Sequence, residues 1–185
     1  MRTPLKNAFG SQAMLAAAAV MIAAPFLQAQ PANNPAPQKS ISEQVRHALV
    51  TIPWVNVFDD LSYRVDGSTV TLFGQVTRPI IKSDAGNSVK NIEGVTKVNN
   101  EIEVLPVSQF DNEIRWHEAY AIFGYQGLQR YAMGTQPSIR IIVKNGHVTL
   151  KGYVNSEMDK QLVYMRARQV ANVFSVTNEL QVAKS

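Results

Sequence analysis

The strongest constraint on this chain is that it is written twice. Val65-Asp66-Gly67-Ser68-Thr69-Val70-Thr71-Leu72-Phe73-Gly74-Gln75-Val76 returns as Val143-Lys144-Asn145-Gly146-His147-Val148-Thr149-Leu150-Lys151-Gly152-Tyr153-Val154. A constant offset of 78 pairs Val70 with Val148, Leu72 with Leu150, Gly74 with Gly152 and Val76 with Val154. The same offset later pairs Val95 with Val173, Val98 with Val176, Asn100 with Asn178, Glu101 with Glu179 and Val104 with Val182. A gap-free match over the 35 positions from Val70 to Val104 marks an internal duplication of one small domain.

Each copy reads as helix, strand, strand, helix, strand. Ser40-Ile41-Ser42-Glu43 has capping-box spacing, and Ile41, Val45, Ala48, Leu49 and Ile52 follow at helical intervals until Pro53. Leu61, Tyr63 and Val65 alternate with Ser62, Arg64 and Asp66, as in a strand with one buried face. Asp66-Gly67 supplies the turn to a return strand carrying Val70, Leu72, Gly74 and Val76. Gly74 leaves that buried face without a side chain, and close helix-against-sheet packing is the expected reason.

Thr77, with Pro79 close behind, opens a second helix whose buried line is Ile81, Ala85, Val89 and Ile92. Gly94 follows as a left-handed cap, and Asn172 occupies the matching place in the second copy. Val98, Ile102 and Val104 form the last strand. The expected fold is therefore α+β: two tandem αββαβ domains, each a three-stranded sheet covered by two helices on one face.

The Asp/Asn-Gly-x-Val-Thr-Leu-x-Gly-x-Val hairpin and the closing Val-x-x-Val-x-Asn-Glu-Ile/Leu-x-Val strand resemble the BON domain (bacterial OsmY and nodulation) family. The resemblance covers nearly all of residues 40–183 as two copies, with domains expected at 40–105 and 110–184. It implies an exported, non-enzymatic protein of the periplasm or outer membrane that contacts phospholipid surfaces or envelope proteins and supports envelope integrity. It offers no catalytic residues and no cofactor. The alternative within the same resemblance is a soluble periplasmic protein of the OsmY type, chaperone-like and linked to osmotic stress.

The second copy departs from the first before its hairpin. From Ile114 to Val148 is 34 residues, against 25 from Val45 to Val70, and the surplus lies near 124–136. Asp111 is placed to open a helix running to Phe123. At 100° per residue, Ile114, Ala121 and Ile122 share the face toward the sheet, and Trp116, Tyr120 and Phe123 gather roughly opposite. A second aromatic face needs a partner. The candidates are the inserted segment or the first domain folding over it, a protein partner, or a lipid headgroup boundary at which Arg115 or Arg130 meets phosphate.

Arg2 and Lys6 precede an apolar run from Ala13 to Leu27 and a small-residue cut site at Ala29, the pattern of a signal peptide over 1–29. Residues 30–39 are proline-rich and read as a linker. The chain has no cysteine, so neither a disulfide nor a lipid-modified cysteine is available. Its 18 basic and 14 acidic residues give a net charge of +4, without the concentrated basic stripe that nucleic-acid binding calls for. His47, His117 and His147 sit in no metal-ligand spacing. Gly67 and Gly74 belong to a hairpin rather than a phosphate loop, and no nucleophile elbow is present. Asp59-Asp60 reads as a charged pair entering an exposed strand. No small-molecule substrate is expected.

Overall fold

The computed structural model describes residues 40–134 and 136–183, which fall within one unit, Pro37–Ser185. The signal peptide and linker expected over 1–39 lie outside the described residues. The first half runs α1 (Ile41–Val50), β1 (Asp60–Asp66), β2 (Thr69–Val76), α2 (Pro79–Lys90), β3 (Lys97–Asn100) and β4 (Glu103–Val104). The second runs α3 (Gln109–Phe123), a 3-10 turn Gln129–Tyr131, β5 (Ile139–Lys144), β6 (His147–Val154), α4 (Glu157–Ala167), β7 (Ser175–Asn178) and β8 (Gln181–Val182).

In each half the long middle strand organises the sheet. β1 is antiparallel to β2, with Tyr63 opposite Leu72, while β3 and β4 both run parallel to β2. The second half repeats this, with Ile141 opposite Leu150 and with β7 and β8 parallel to β6. The third strand is thus one strand broken in two, and the repeated asparagine breaks it. Asn100 Nδ2 donates to Lys82 O of α2 at 2.8 Å, while its Oδ1 accepts from Ile102 N at 3.3 Å. Asn178 does the same with Lys160 O at 3.3 Å and Leu180 N at 3.2 Å. A side chain that bonds its own backbone two residues on interrupts the ladder and turns Ile102 and Leu180 into the core.

The helices lie where the apolar periods put them. Val45 and Leu49 of α1, Ile81, Ala85 and Val89 of α2, and Val70, Leu72 and Val76 of β2 form the first core. Ile114 and Ile122 of α3, Val163 and Ala167 of α4, and the inward residues of β5 and β6 form the second. Each fully buried aliphatic side chain contributes roughly 1.5–3 kcal/mol. The capping box at Ser40 and Glu43 is present.

Four expectations change in detail. Thr77 does not cap α2: Arg78 holds that position without a side-chain bond, Pro79 starts the helix, and the Thr77 hydroxyl donates to Asp59 at 2.8 Å. Ser108, not Asp111, caps α3. The first hairpin turns at Gly67-Ser68, because Asp66 still pairs with Thr69; the second turns at Asn145-Gly146, as expected. Finally, Gly94 (φ +87°) and Asn172 (φ +66°) are left-handed, but they lie in the turns beyond α2 and α4 rather than at the helix ends.

The repeated glycines of β2 and β6 have a different cause from the one expected. No helix crowds them. A Cβ at Gly74 would lie 2.2 Å from the carbonyl oxygen of Asp60 in the neighbouring strand, and one at Gly152 would lie 2.0 Å from that of Ser138. Their φ angles are +119° and +107°, a region that side chains rarely enter. Gly74→Ala and Gly152→Ala should each destabilise the protein by on the order of 3 kcal/mol, combining strain with a forced strand separation. Gly134→Ala is the control for the clash: its φ of +97° brings the same backbone strain, but nothing lies within 4 Å of its Cβ position. Urea titrations of the three variants should place the first two well below the third.

Candidate functional site

The two halves are joined by the segment that leads into β1. Val57 O accepts from Ile141 N at 2.7 Å, so the first half bonds to the outer edge of β5. Phe58 leaves its own half and enters the core of the second, where it is 7% exposed. Asp59, fully buried, holds the segment in shape: its carboxylate accepts from Thr77 N at 2.6 Å, Thr77 Oγ1 at 2.8 Å and Asn56 N at 3.1 Å. Far from being an ordinary surface acid, Asp59 is the pin of the junction.

The open sheet faces also meet. Lys151 of β6 pairs with Asp60 of β1 at 3.1 Å, and Lys144 of β5 with Glu103 of β4 at 2.5 Å. The Lys144 bond, with a second from Gln75, lowers the Glu103 pKa. Arg140 Nη1 donates to Asn56 O at 3.3 Å and its Nη2 to Gln136 Oε1 at 2.7 Å. Burial lowers its pKa, against the pull of Asp60 and Asp59.

Helix α3 carries the expected contact residues, and the structure divides them. Trp116 is 68% exposed and Tyr120 82%, one helical turn apart. Trp116 touches Phe58 edge to face, with ring centroids 5.4 Å apart. Phe123 instead packs against the second core. The inserted residues do not cover the aromatic face. Leu128 and Tyr131 turn into the core, and Tyr131 Oη donates to Asp159 at the start of α4 at 2.7 Å. Arg130 pairs with the same carboxylate at 2.7 Å and lies over the Tyr131 ring. Burial alone would raise the Asp159 pKa, but bonds from Tyr131, Ser156 and Arg130 lower it.

Arg115 is a correction to the sequence reading. It faces inward, 4% exposed, with Nη1 on Asn112 Oδ1 at 2.5 Å and Nη2 on Val143 O at 2.7 Å. Burial lowers its pKa, opposed by Asp111 and Asp59. Asp111 is buried too, and its carboxylate accepts from the turn amides of Asn145 and Gly146 at 2.9 and 2.8 Å. The buried face of α3 is therefore charged as well as apolar, which a count of apolar residues at helical spacing cannot reveal.

Between the halves lies a cavity of about 540 Å³, walled by Val55, Phe58 and Thr77 on one side and Arg115, Trp116 and Ala119 on the other. Among the described residues no group of His, Cys, Asp and Glu side chains is placed to hold a metal. No helix among them is long and apolar enough to cross a membrane.

Fold and site together define a tandem α+β module with two sheet faces joined by ion pairs and one aromatic helix face left open. The BON domain family model matches residues 38–106 and 129–184, and the chain belongs to that family. Helix α3 lies outside both matched regions. No curated protein matches the sequence. Two solved structures of CdsD, a structural protein of the type III secretion system of Chlamydia trachomatis, are similar to this chain. The first, its C-terminal domain, is 12% identical, with 80% of this chain and all of that one covered and a TM-score of 0.33. The second is 13% identical, with 78% and 93% covered and a TM-score of 0.30. At that level they carry no argument about function.

Glu118 of α3 is the most unusual ionisable group. It is fully buried and neither carboxylate oxygen has a hydrogen-bond partner among the described residues. Burial pushes its pKa from an ordinary 4.5 up to about 8. The folded chain therefore keeps a proton that the unfolded chain releases above about pH 4.5. The stability is complete below that pH and falls as pH rises toward 8, by roughly 1.4 kcal/mol per pH unit. Urea unfolding at pH 5 and pH 8 should show the native protein losing several kcal/mol more than Glu118→Gln over that interval; parallel losses would contradict this.

Proposed function

We propose that the chain is an exported, non-enzymatic module of the bacterial cell envelope, with BON domains at 40–105 and 110–184, that associates with phospholipid surfaces through the outer face of α3. The observation that carries this reading is the pair Trp116 and Tyr120, both largely exposed on one helix face. Aromatic rings with a polar edge sit well at the lipid headgroup boundary, where their apolar bodies leave water and their N–H or O–H keeps a partner. Family membership supports a binding role, and the basic, then apolar, N-terminal sequence supports export to the periplasm.

In this reading neither Arg115 nor Arg130 is the contact to lipid phosphate. Arg115 is enclosed, and Arg130 is held by Asp159, so the aromatic pair rather than an arginine clamp supplies the contact. Envelope proteins are the competing partner for the same face.

Co-sedimentation with phosphatidylglycerol-containing and zwitterionic vesicles at two salt concentrations tests the proposal. Replacing Trp116 and Tyr120 with serine should reduce vesicle-bound protein about tenfold. The melting temperature should move only by the loss of the Trp116–Phe58 contact, worth about 1 kcal/mol. Unchanged vesicle binding in the double variant would overturn the assignment.

A further inference from the structure

The cavity between the halves has the size of a small-molecule site, and its chemistry is uneven. Its walls are apolar over Val55, Val57, Phe58, Trp116 and Ala119. About 540 Å³ falls inside the range of roughly 300–1,000 Å³ typical of ligand pockets, which combine apolar walls with a few converging polar groups. Here the polar groups are Asn56, Thr77, Asn112 and Arg115.

The acceptors near this cavity are spent, and Thr77 spends both its donors on Asp59, but Arg115 keeps a donor unspent. Asp59 already receives Thr77 and Asn56, and Asp111 receives the turn amides of the β5–β6 hairpin. A guanidinium has five N–H donors in a fixed fork. Arg115 places one on Asn112 and one on Val143, while its buried Nε has no partner among the described residues. Asn112, the partner on the cavity side, is itself exposed and is a neutral amide. An anionic oxygen makes a stronger bond to a guanidinium than an amide oxygen does.

The backbone is strained at the residue preceding the cavity lining. Trp54, beside Val55, has φ +72°, a conformation that a bulky residue seldom adopts. Arg78, next to Thr77, holds it there by donating to the Trp54 carbonyl and lying 5.8 Å from the ring centre. Strain of this kind gathers at ligand clamps and persists only where the surroundings enforce it.

We propose that this cavity binds one monomeric amphiphile, an anionic phosphate or carboxylate head carrying a single alkyl chain. The head displaces the Asn112 amide from Arg115, and the chain lies against Phe58, Trp116 and Ala119. The site shares Trp116 with the vesicle-binding face, but it takes a dissolved molecule into the junction, whereas that face meets a surface.

The probe is octyl phosphate below its micellar concentration, titrated calorimetrically into the full chain, with inorganic phosphate and octanol in parallel. Octyl phosphate should bind at one equivalent, and each partial probe at least tenfold more weakly. Asn112→Asp places a carboxylate of nearly the same shape on Arg115; it should keep the fold and weaken octyl phosphate at least tenfold. Ala119→Phe, which fills the apolar wall, should do the same, with its melting curve recorded alongside. Octanol binding as tightly as octyl phosphate would overturn the anion assignment, and inorganic phosphate doing so would overturn the amphiphile. Undiminished affinity in Asn112→Asp would overturn the site itself. Vesicle binding retained in Asn112→Asp shows that the two surfaces act separately, so either proposal can fail without the other.

Discussion

The two halves depend on a short exchange between them. Val57 bonds to the free edge of β5, and Phe58 fills a gap in the core beneath it. An uncovered strand edge presents unpaired amide and carbonyl groups, which natural proteins shield by a loop, a charge or a bend. Here the shield comes from the other half. Asp59 fixes the segment by taking both Thr77 donors and the Asn56 amide, so a buried carboxylate is satisfied by the geometry it enforces. The ion pairs Lys151–Asp60 and Lys144–Glu103 then align the open sheet faces. They are partly exposed, and their contribution is to register more than to strength.

This arrangement separates the surfaces by chemistry. Sheet faces that a lone half would expose to water are turned toward each other and joined by ion pairs. Helix α3 carries two exposed aromatic residues outside, and its inner face is in turn unusually polar. Asp111, Arg115 and Glu118 stand on the side toward the core, at successive turns, among Ile114 and Ile122. Asp111 and part of Arg115 are satisfied by the β5–β6 hairpin, so that helix is anchored by buried charged side chains where its counterpart α1 buries only apolar ones. A helix held in that way can leave aromatic residues outside without losing its place.

Much of this was legible in the sequence because the duplication tests each reading twice. Period-two alternation located β1 and β2, and the offset of 78 carried the same elements onto β5 and β6. The repeated Asn pointed to a shared local structure, and it proved to be the residue that breaks the third strand. What escaped was everything without a counterpart. Phe58 and Asp59 align with Gln136 and Pro137, so the repeat says nothing of them. The inward turn of Arg115 and Glu118 was hidden for a different reason. Helical periodicity assigns faces by hydrophobicity and sends charged residues outward; it shows neither the β5 carbonyl that receives Arg115 nor the burial that keeps Glu118 protonated. Trp116 and Tyr120 were placed on the outer face correctly, but only the structure shows that the insertion turns into the core and leaves them open.

The loan of Phe58 also orders events in time. A chain made from its N-terminus completes the first half while β5 is still unmade, and the contact between Val57 and Ile141 closes over a separation of 84 in numbering. Contacts so distant in sequence form late, because the loop they close must first be ordered. Until then Phe58 stands in water on an otherwise finished half, and afterwards β5 has an open edge until the segment arrives. The junction therefore cannot close before β5 exists, and the first half must wait for the second to bury its own aromatic side chain.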